Sequence, residues 1–289
     1  MASLQAYFFS WLLRRRFKPR LKDERDVARI RKLMTPPPFA VPPGVRITPG
    51  EVGGVPGEWV ECDGGTRGLL LYLHGGGYVA CSAQTHRPIS CSFAQLGFRV
   101  FVPNYRLAPE NPFPAAVHDA IEVFLGMTHG SGQPVAVAGD SAGGGLALSL
   151  MISLRDAARP LPKAAVLFSP WTDLAGTGPS IQFNDKKCAM FSAATLPKAG
   201  RKYLAGAPAD DPLASPLYAK LDKLPPLLIH VGADEALLDD STRVAAKANA
   251  DGVSVQLKVW PVVPHAWQLL AGRLPEARQS LKEAAEFLS

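Results

Sequence analysis

Val135-Ala-Val-Ala-Gly139-Asp140-Ser141-Ala142-Gly143-Gly144-Gly145 is the stretch on which the fold turns. An apolar, β-branched run stops at Gly139, and a helix-forming run, Leu146-Ala-Leu-Ser-Leu-Met-Ile-Ser-Leu154, starts just past Gly145. That reads as a strand, a tight turn and a helix, with Ser141 at the apex of Gly-Asp-Ser-Ala-Gly. In this setting a Gly-x-Ser-x-Gly turn is a nucleophile elbow: the small flanking residues let the backbone bend sharply enough to present the hydroxyl at the sheet edge. A five-residue pattern is weak by itself, so the rest of the chain has to supply the serine's partners.

Working outward, 289 residues that are 47% hydrophobic can bury one large core, and α/β enzymes of this size are often one domain. No run of about 20 apolar residues is present to span a bilayer. The four cysteines (Cys62, Cys81, Cys91, Cys188) show no metal-type spacing and are too few to staple so long a chain. They point to small buried hydrophobes in a reducing, cytoplasmic setting, with no metal. The formal charge of +6 is uneven: residues 1–35 hold ten Lys/Arg against three acids, so the remainder carries −1. A basic character confined to one segment argues against a body that binds nucleic acid.

That segment opens Ala6-Tyr-Phe-Phe-Ser-Trp-Leu-Leu13 and continues Arg14-Arg-Arg-Phe-Lys18. A secretory signal would put its charges first and a small-residue cleavage site last, so the order here argues for an amphipathic helix. It would serve as a cap on the active site, lie on an anionic membrane surface, or form a solvated basic arm. Pro36-Pro-Pro-Phe-Ala-Val-Pro-Pro43 reads as the linker into the main domain.

Beyond it, apolar runs at 69–73, 98–103, 135–139, 164–168, 227–231 and 253–260 alternate with helical patterns at 86–96, 115–127, 141–157, 236–250 and 275–288. This alternation predicts a parallel sheet covered on both faces. A weaker strand near 57–63 is expected antiparallel at the edge. Residues 172–223, rich in Pro, Gly and Ala with one helix at 193–204, read as an insertion over the sheet's C-terminal edge. Strand 253–260 is expected at the other edge, with Gln256 and Lys258 alternating outward, as an antiparallel dimer seam.

Ligands of such sheets sit outside the strands' C-terminal ends. A serine hydroxyl needs an adjacent base, and in this architecture the order is serine, acid, histidine. Only His230 and His265 follow Ser141. His230 lies inside an apolar strand, whereas His265 sits in a loop after the last strand and is the expected base. The acid belongs between them, past a strand end. Asp234 follows the Val-Gly-Ala turn directly and is preferred, with Glu235 the runner-up; Asp239 and Asp240 fall in the next helix. The His74-Gly75-Gly76-Gly77-Tyr78 loop follows strand 69–73. Backbone N–H groups of Gly76 and Gly77, with Gly75 shaping the loop and Ala142 contributing after the serine, would form an oxyanion hole. Asp140 reads as a local structural acid.

His-Gly-Gly-Gly, Gly-Asp-Ser-Ala-Gly-Gly, the Asp234 segment and Pro264-His265 together resemble the hormone-sensitive-lipase-like (bacterial family IV) carboxylesterases of the α/β-hydrolase fold. Asn104-Tyr-Arg-Leu-Ala-Pro-Glu-Asn-Pro-Phe-Pro-Ala-Ala116, with Asp119, is similar to a further hallmark of that branch. The resemblance implies an eight-stranded, mostly parallel sheet with helices on both faces. Residues 1–45 would be cap helices and linker, and 46–289 the catalytic domain, with 172–223 adding to the cap. It also implies a serine carboxylesterase acting on small esters with short- to medium-chain acyl groups, without a cofactor, and frequent homodimers. Arg106 and Glu110 would tie down the loop behind the oxyanion hole. Asp234-Glu235 departs from the family's usual Asp-Pro, which makes Glu235 a better rival. The same triad would also serve amide cleavage, and related non-catalytic receptors lack the base that His265 supplies. Of the bulky residues that could shape the acyl site (Tyr78, Trp171, Phe183, Phe191, Trp267), Tyr78 is favoured, together with Phe8, Phe9 and Trp11 of the arm.

Overall fold

A computed structural model describes residues 2–23, 26–35, 39–64 and 67–289. The first three prolines of the expected linker, Pro36 to Pro38, lie outside the described residues. The sheet has eight strands in the order β1-β2-β4-β3-β5-β6-β7-β8: β1 Val45–Val52, β2 Val55–Cys62, β3 Gly68–Leu73, β4 Phe98–Pro103, β5 Val135–Asp140, β6 Ala165–Phe168, β7 Leu227–Gly232 and β8 Val255–Trp260. β2 runs antiparallel to both its neighbours, and every other pair is parallel.

β1 was not expected. Val45-Arg-Ile-Thr-Pro-Gly-Glu-Val carries Pro49 and Gly50 in its middle, which argue against a strand interior but are tolerated at a sheet edge. There β1 pairs along its whole length with β2, so β2 lies one strand in from the edge.

Strand side chains alternate between faces, and this splits the core in two. Leu69, Leu71, Leu73, Val135 and Val137 point to one side, where Val117 of α5 (Ala115–Ser131), Leu146 of α6 (Ala142–Asp156) and Val244 of α9 (Leu238–Ala250) cover them. Leu70, Tyr72, Ala136 and Ala138 point to the other, under Phe93 of α4 (Arg87–Gln95) and Leu281 of α10 (Pro275–Phe287). β5 is buried over its entire length, as a central parallel strand requires. This anchors the turn that follows it.

Three helices precede the sheet: α1 Leu4–Arg16, α2 Lys18–Asp23 and α3 Val27–Met34. Between β6 and β7 the chain adds α7 (Ser180–Phe183) and α8 (Thr195–Leu204). The two regions meet: the Lys18 ammonium donates to the carbonyls of Asp185 and, at 3.1 Å, of Cys188, and Lys198 donates to the Lys22 carbonyl at 2.7 Å. No helix is long and apolar enough to cross a membrane among the described residues.

Candidate active site

Ser141 occupies φ 54°, ψ −122° between β5 and α6, a region that a side-chain-bearing residue adopts only when its surroundings force it. The forcing groups are close by. Ser141 N–H donates to the Phe168 carbonyl at 2.8 Å, and its own carbonyl accepts from Gly144, Gly145 and Trp171 at 3.0, 3.1 and 2.9 Å. A Cβ on Gly139 would collide with the Gly143 carbonyl, and one on Gly143 with the Leu73 carbonyl. Only glycine lets α6 begin this close to β3 and β5.

His265 lies past β8 in the loop that the sequence indicated, and its Nδ1 stands 2.5 Å from Oε2 of Glu235. That carboxylate is buried, and its other oxygen accepts from the Ser169 hydroxyl and the Gly232 N–H, each at 2.6 Å. The Phe191 ring packs edge-on against the imidazole at 4.7 Å. His265 Nε2 is buried without a hydrogen-bond partner among the described residues.

Asp234, the preferred acid, does not reach this histidine. It is partly exposed and makes no hydrogen bond or ion pair among the described residues. The reason is the turn after β7: Ala233 N–H bonds to Trp260 and Glu235 N–H to the Gly232 carbonyl at 3.1 Å. The chain thus folds back on the strand end, which brings position 235 over Gly232, while position 234 faces outward. His230 stays in the sheet, bonded to Ser280 at 2.9 Å.

The glycine loop is held from behind by Asp140. This carboxylate accepts from Tyr72 at 2.8 Å and from Gly75 N–H at 3.0 Å, and His86 Nε2 stands 3.2 Å away. Burial pushes its pKa up, but His86, the Tyr72 hydroxyl and the His265 ring outweigh that and leave it below the ordinary carboxylate value. Gly75 is therefore not an available donor, because its N–H is already committed to Asp140. Gly76 and Gly77, at φ 122° and 63°, line the cavity over Ser141. Ala142 opens α6, where the first backbone N–H lacks an intrahelical partner. His74 Nδ1 stands 2.7 Å from the Gly75 carbonyl, and burial beside His86 pulls its pKa down to about 3.

Arg106 pairs with Asp119, donating through its backbone N–H at 2.8 Å and its guanidinium at 2.7 Å. Glu110 pairs instead with Arg31 of α3, at 2.7 and 2.9 Å, and the same guanidinium donates to the Val79 carbonyl at 2.8 Å. The Arg31 hydrogen bond pulls Glu110 down to about 2. Sequence reasoning missed Arg31, one of many cations in the basic segment with no local pattern to single it out.

The cavity measures about 520 Å³. Leu21, Ile30 and Met34 line it from α2 and α3, and Met190, Phe191 and Leu196 from the insertion. Trp171 also lines it. The other aromatics lie elsewhere. Tyr78 is buried in a stack on Tyr203 at 3.8 Å, Phe9 packs on the second core cluster, and Phe8, Trp11 and Phe183 face outward. Trp267 is fully buried in that same cluster, with its ring N–H bonded to the Glu276 carbonyl at 3.3 Å. None of these lines the cavity.

A wound parallel sheet, a strained serine elbow and a buried histidine–carboxylate pair on one cavity define an α/β hydrolase. The model of an alpha/beta hydrolase fold family matches residues 70–269. An acetyl-hydrolase of Streptomyces hygroscopicus is 41% identical over 253 residues, which are 86% of this chain and 84% of that protein. An esterase of Acinetobacter venetianus is 35% identical with the same coverage. The crystal structure of an esterase from the bacterial hormone-sensitive lipase family superposes with a TM-score of 0.93 at 37% identity, covering 100% of this chain and 98% of the other. The chain belongs to the α/β-hydrolase family, in its hormone-sensitive-lipase-like branch of carboxylesterases.

Proposed function

We propose that the protein hydrolyses short- to medium-chain acyl esters through an acyl-enzyme on Ser141, with His265 as base and Glu235 as the orienting acid. The observation that carries this reading is the buried Glu235–His265 pair, 2.5 Å apart, on the cavity that Ser141 also lines. His265 Nε2 takes the Ser141 proton as Oγ attacks the ester carbonyl. The oxyanion is stabilised by N–H donors of Gly76, Gly77 and Ala142, one such donor being worth about 10²–10³ in turnover. Glu235 holds the Nδ1–H tautomer and stabilises the imidazolium that forms. The C–O bond to the alcohol breaks as His265 returns the proton to the leaving oxygen. Water, deprotonated by His265, then releases the carboxylic acid by the same route.

A cavity of about 520 Å³, with apolar walls, supports short to medium acyl chains, and residues 1–45 and 172–223 supply its cap. Cys62, Cys81, Cys91 and Cys188 carry free thiols, which supports a reducing, cytoplasmic compartment. Among the described residues β8 leaves one strand edge unpaired, with Leu257 and Val259 exposed, and this supports a homodimer joined there.

The test is Ser141→Ala, which should abolish hydrolysis of p-nitrophenyl butyrate, by about 10³-fold or more, with the thermal melt unchanged. Substantial residual turnover would overturn the assignment, and an acyl series peaking at palmitoyl would overturn the chain-length reading.

A further inference from the structure

We propose that the outward face of α1 docks on an anionic lipid surface. Leu4, Tyr7, Phe8 and Trp11 are 85%, 55%, 53% and 51% exposed. Their spacing of i, i+3, i+4, i+7 aligns them in a single stripe along the helix. Single exposed apolar side chains are ordinary, but four large ones in a contiguous row mark an interaction surface.

The stripe does not belong to the ester-binding cavity, which none of these residues lines. Nor can it turn inward while the opposite face is fixed. Ala6 and Ser10 are buried, and Phe9 packs on the core cluster beneath. Ser3, which caps α1, donates to Glu276 of α10 through its N–H at 2.6 Å and its hydroxyl at 2.9 Å. The helix is therefore rigid, seated on one side and apolar on the other.

Charge identifies the occupant. Arg15, Arg16, Arg20 and Lys22 are exposed just beyond the stripe and make no ion pair among the described residues. The Arg15 guanidinium sits 6.0 Å over the Trp11 ring, so cation and aromatic share one surface. A row of Leu, Tyr, Phe and Trp with cations at its end has the make-up of an interfacial helix, whose aromatics enter the headgroup layer while its cations meet anionic lipid. α2 and α3 follow at once and contribute Leu21, Ile30 and Met34 to the cavity wall. Docking would thus set that wall at the lipid boundary, where apolar esters concentrate.

The experiment is sedimentation of the full chain with vesicles of phosphatidylcholine alone or with one part in three phosphatidylglycerol. Binding to the anionic vesicles, weakened by salt, is expected. Phe8→Ser/Trp11→Ser should lower the partition coefficient at least tenfold, and Arg15→Glu/Arg16→Glu by a comparable factor, since each lost cation near the surface is worth about fivefold. Both variants should melt as the parent does, because the substituted side chains face outward. Vesicle binding that is absent in the parent, or undiminished in both variants, would overturn the proposal. So would self-association of the parent without lipid that Phe8→Ser/Trp11→Ser abolishes, because a second copy would then cover the stripe.

Discussion

Glu235 meets His265 because the three residues after β7 turn back over the strand end, where its carboxylate also accepts the Gly232 N–H. A Cβ on Gly232 would press within 3.0 Å of that carboxylate, so the turn and its acid are matched. In the sequence, Ser141 and His265 were legible, one from the glycine spacing around it and the other because only two histidines follow the serine. The acid was not, because distance from a strand end does not tell which way a turn rolls. The missing proline after Asp234 was the available signal. Glu235→Gln should lower kcat on p-nitrophenyl butyrate by about 10³–10⁴-fold, as an amide keeps the shape but cannot hold the productive tautomer. Asp234→Asn should change kcat by less than about threefold, since surface substitutions away from the site have small effects. The opposite ranking in steady-state kinetics would return the acid to Asp234.

At the scale of elements, the buried parallel strands were easy to read because both their faces are apolar, and the edges were hard. β1 hides behind Pro49 and Gly50, and β8 was legible as a strand with Gln256 exposed, but not in the exposure of Leu257 and Val259. Lys258, expected to face outward, keeps its side chain 41% exposed while it folds over Trp260 at 4.1 Å and donates to Glu283 at 2.6 Å. Leu257 and Val259 are exposed as well, beside Gln256. An unpaired edge bearing two apolar side chains is the kind of strand that proteins normally blunt with charge. Leu257→Lys/Val259→Lys supplies that charge, and a two-fold interface meets each substitution twice. Light scattering should show a dimer for the parent and a monomer for this variant. A parent that scatters as a monomer, or a variant that stays dimeric, would remove β8 as the seam. The N-terminal segment shows the same limit: its helices could be anticipated from composition, but not that α1 faces out while α2 and α3 face the cavity.

Across the whole molecule, buried titratable groups set how stability varies with pH. His74 is neutral in the fold, its pKa pulled to about 3 by burial and the nearby His86, and burial pulls His230 to about 4. Unfolded, both bind a proton below about 6.5, so the unfolded state takes up protons that the fold refuses, and stability falls with pH below that value. Glu110, held near 2 by Arg31, and Asp173, which its hydrogen bonds lower against burial, are stabilising above their unfolded pKa values. They add to the acid loss below about pH 4. Asp240 acts in the other direction. It is buried at the start of α9, accepts only the Thr172 and Asp173 N–H groups at 2.8 and 2.9 Å on one oxygen, and leaves the other unpartnered among the described residues. Burial pushes its pKa up to about 8, so the fold holds a proton that the unfolded chain releases above about 4, and stability declines as pH rises towards 8. Two histidines outweigh one aspartate below pH 6.5, and the aspartate outweighs them above it, which puts the maximum near 6.5. The limb from 6.5 to 8 should then fall by only about half of the 1.4 kcal/mol per pH unit that a whole proton would give, because the unfolded histidines are still releasing protons at its start and Asp240 ionises in the fold towards its end. Asp240→Asn removes that proton while keeping an acceptor for both N–H groups. Denaturant melts should show the variant rising slightly and levelling off from pH 6.5 to 8, with its acid limb retained; an unchanged decline in that window would mean that Asp240 is already ionised in the fold.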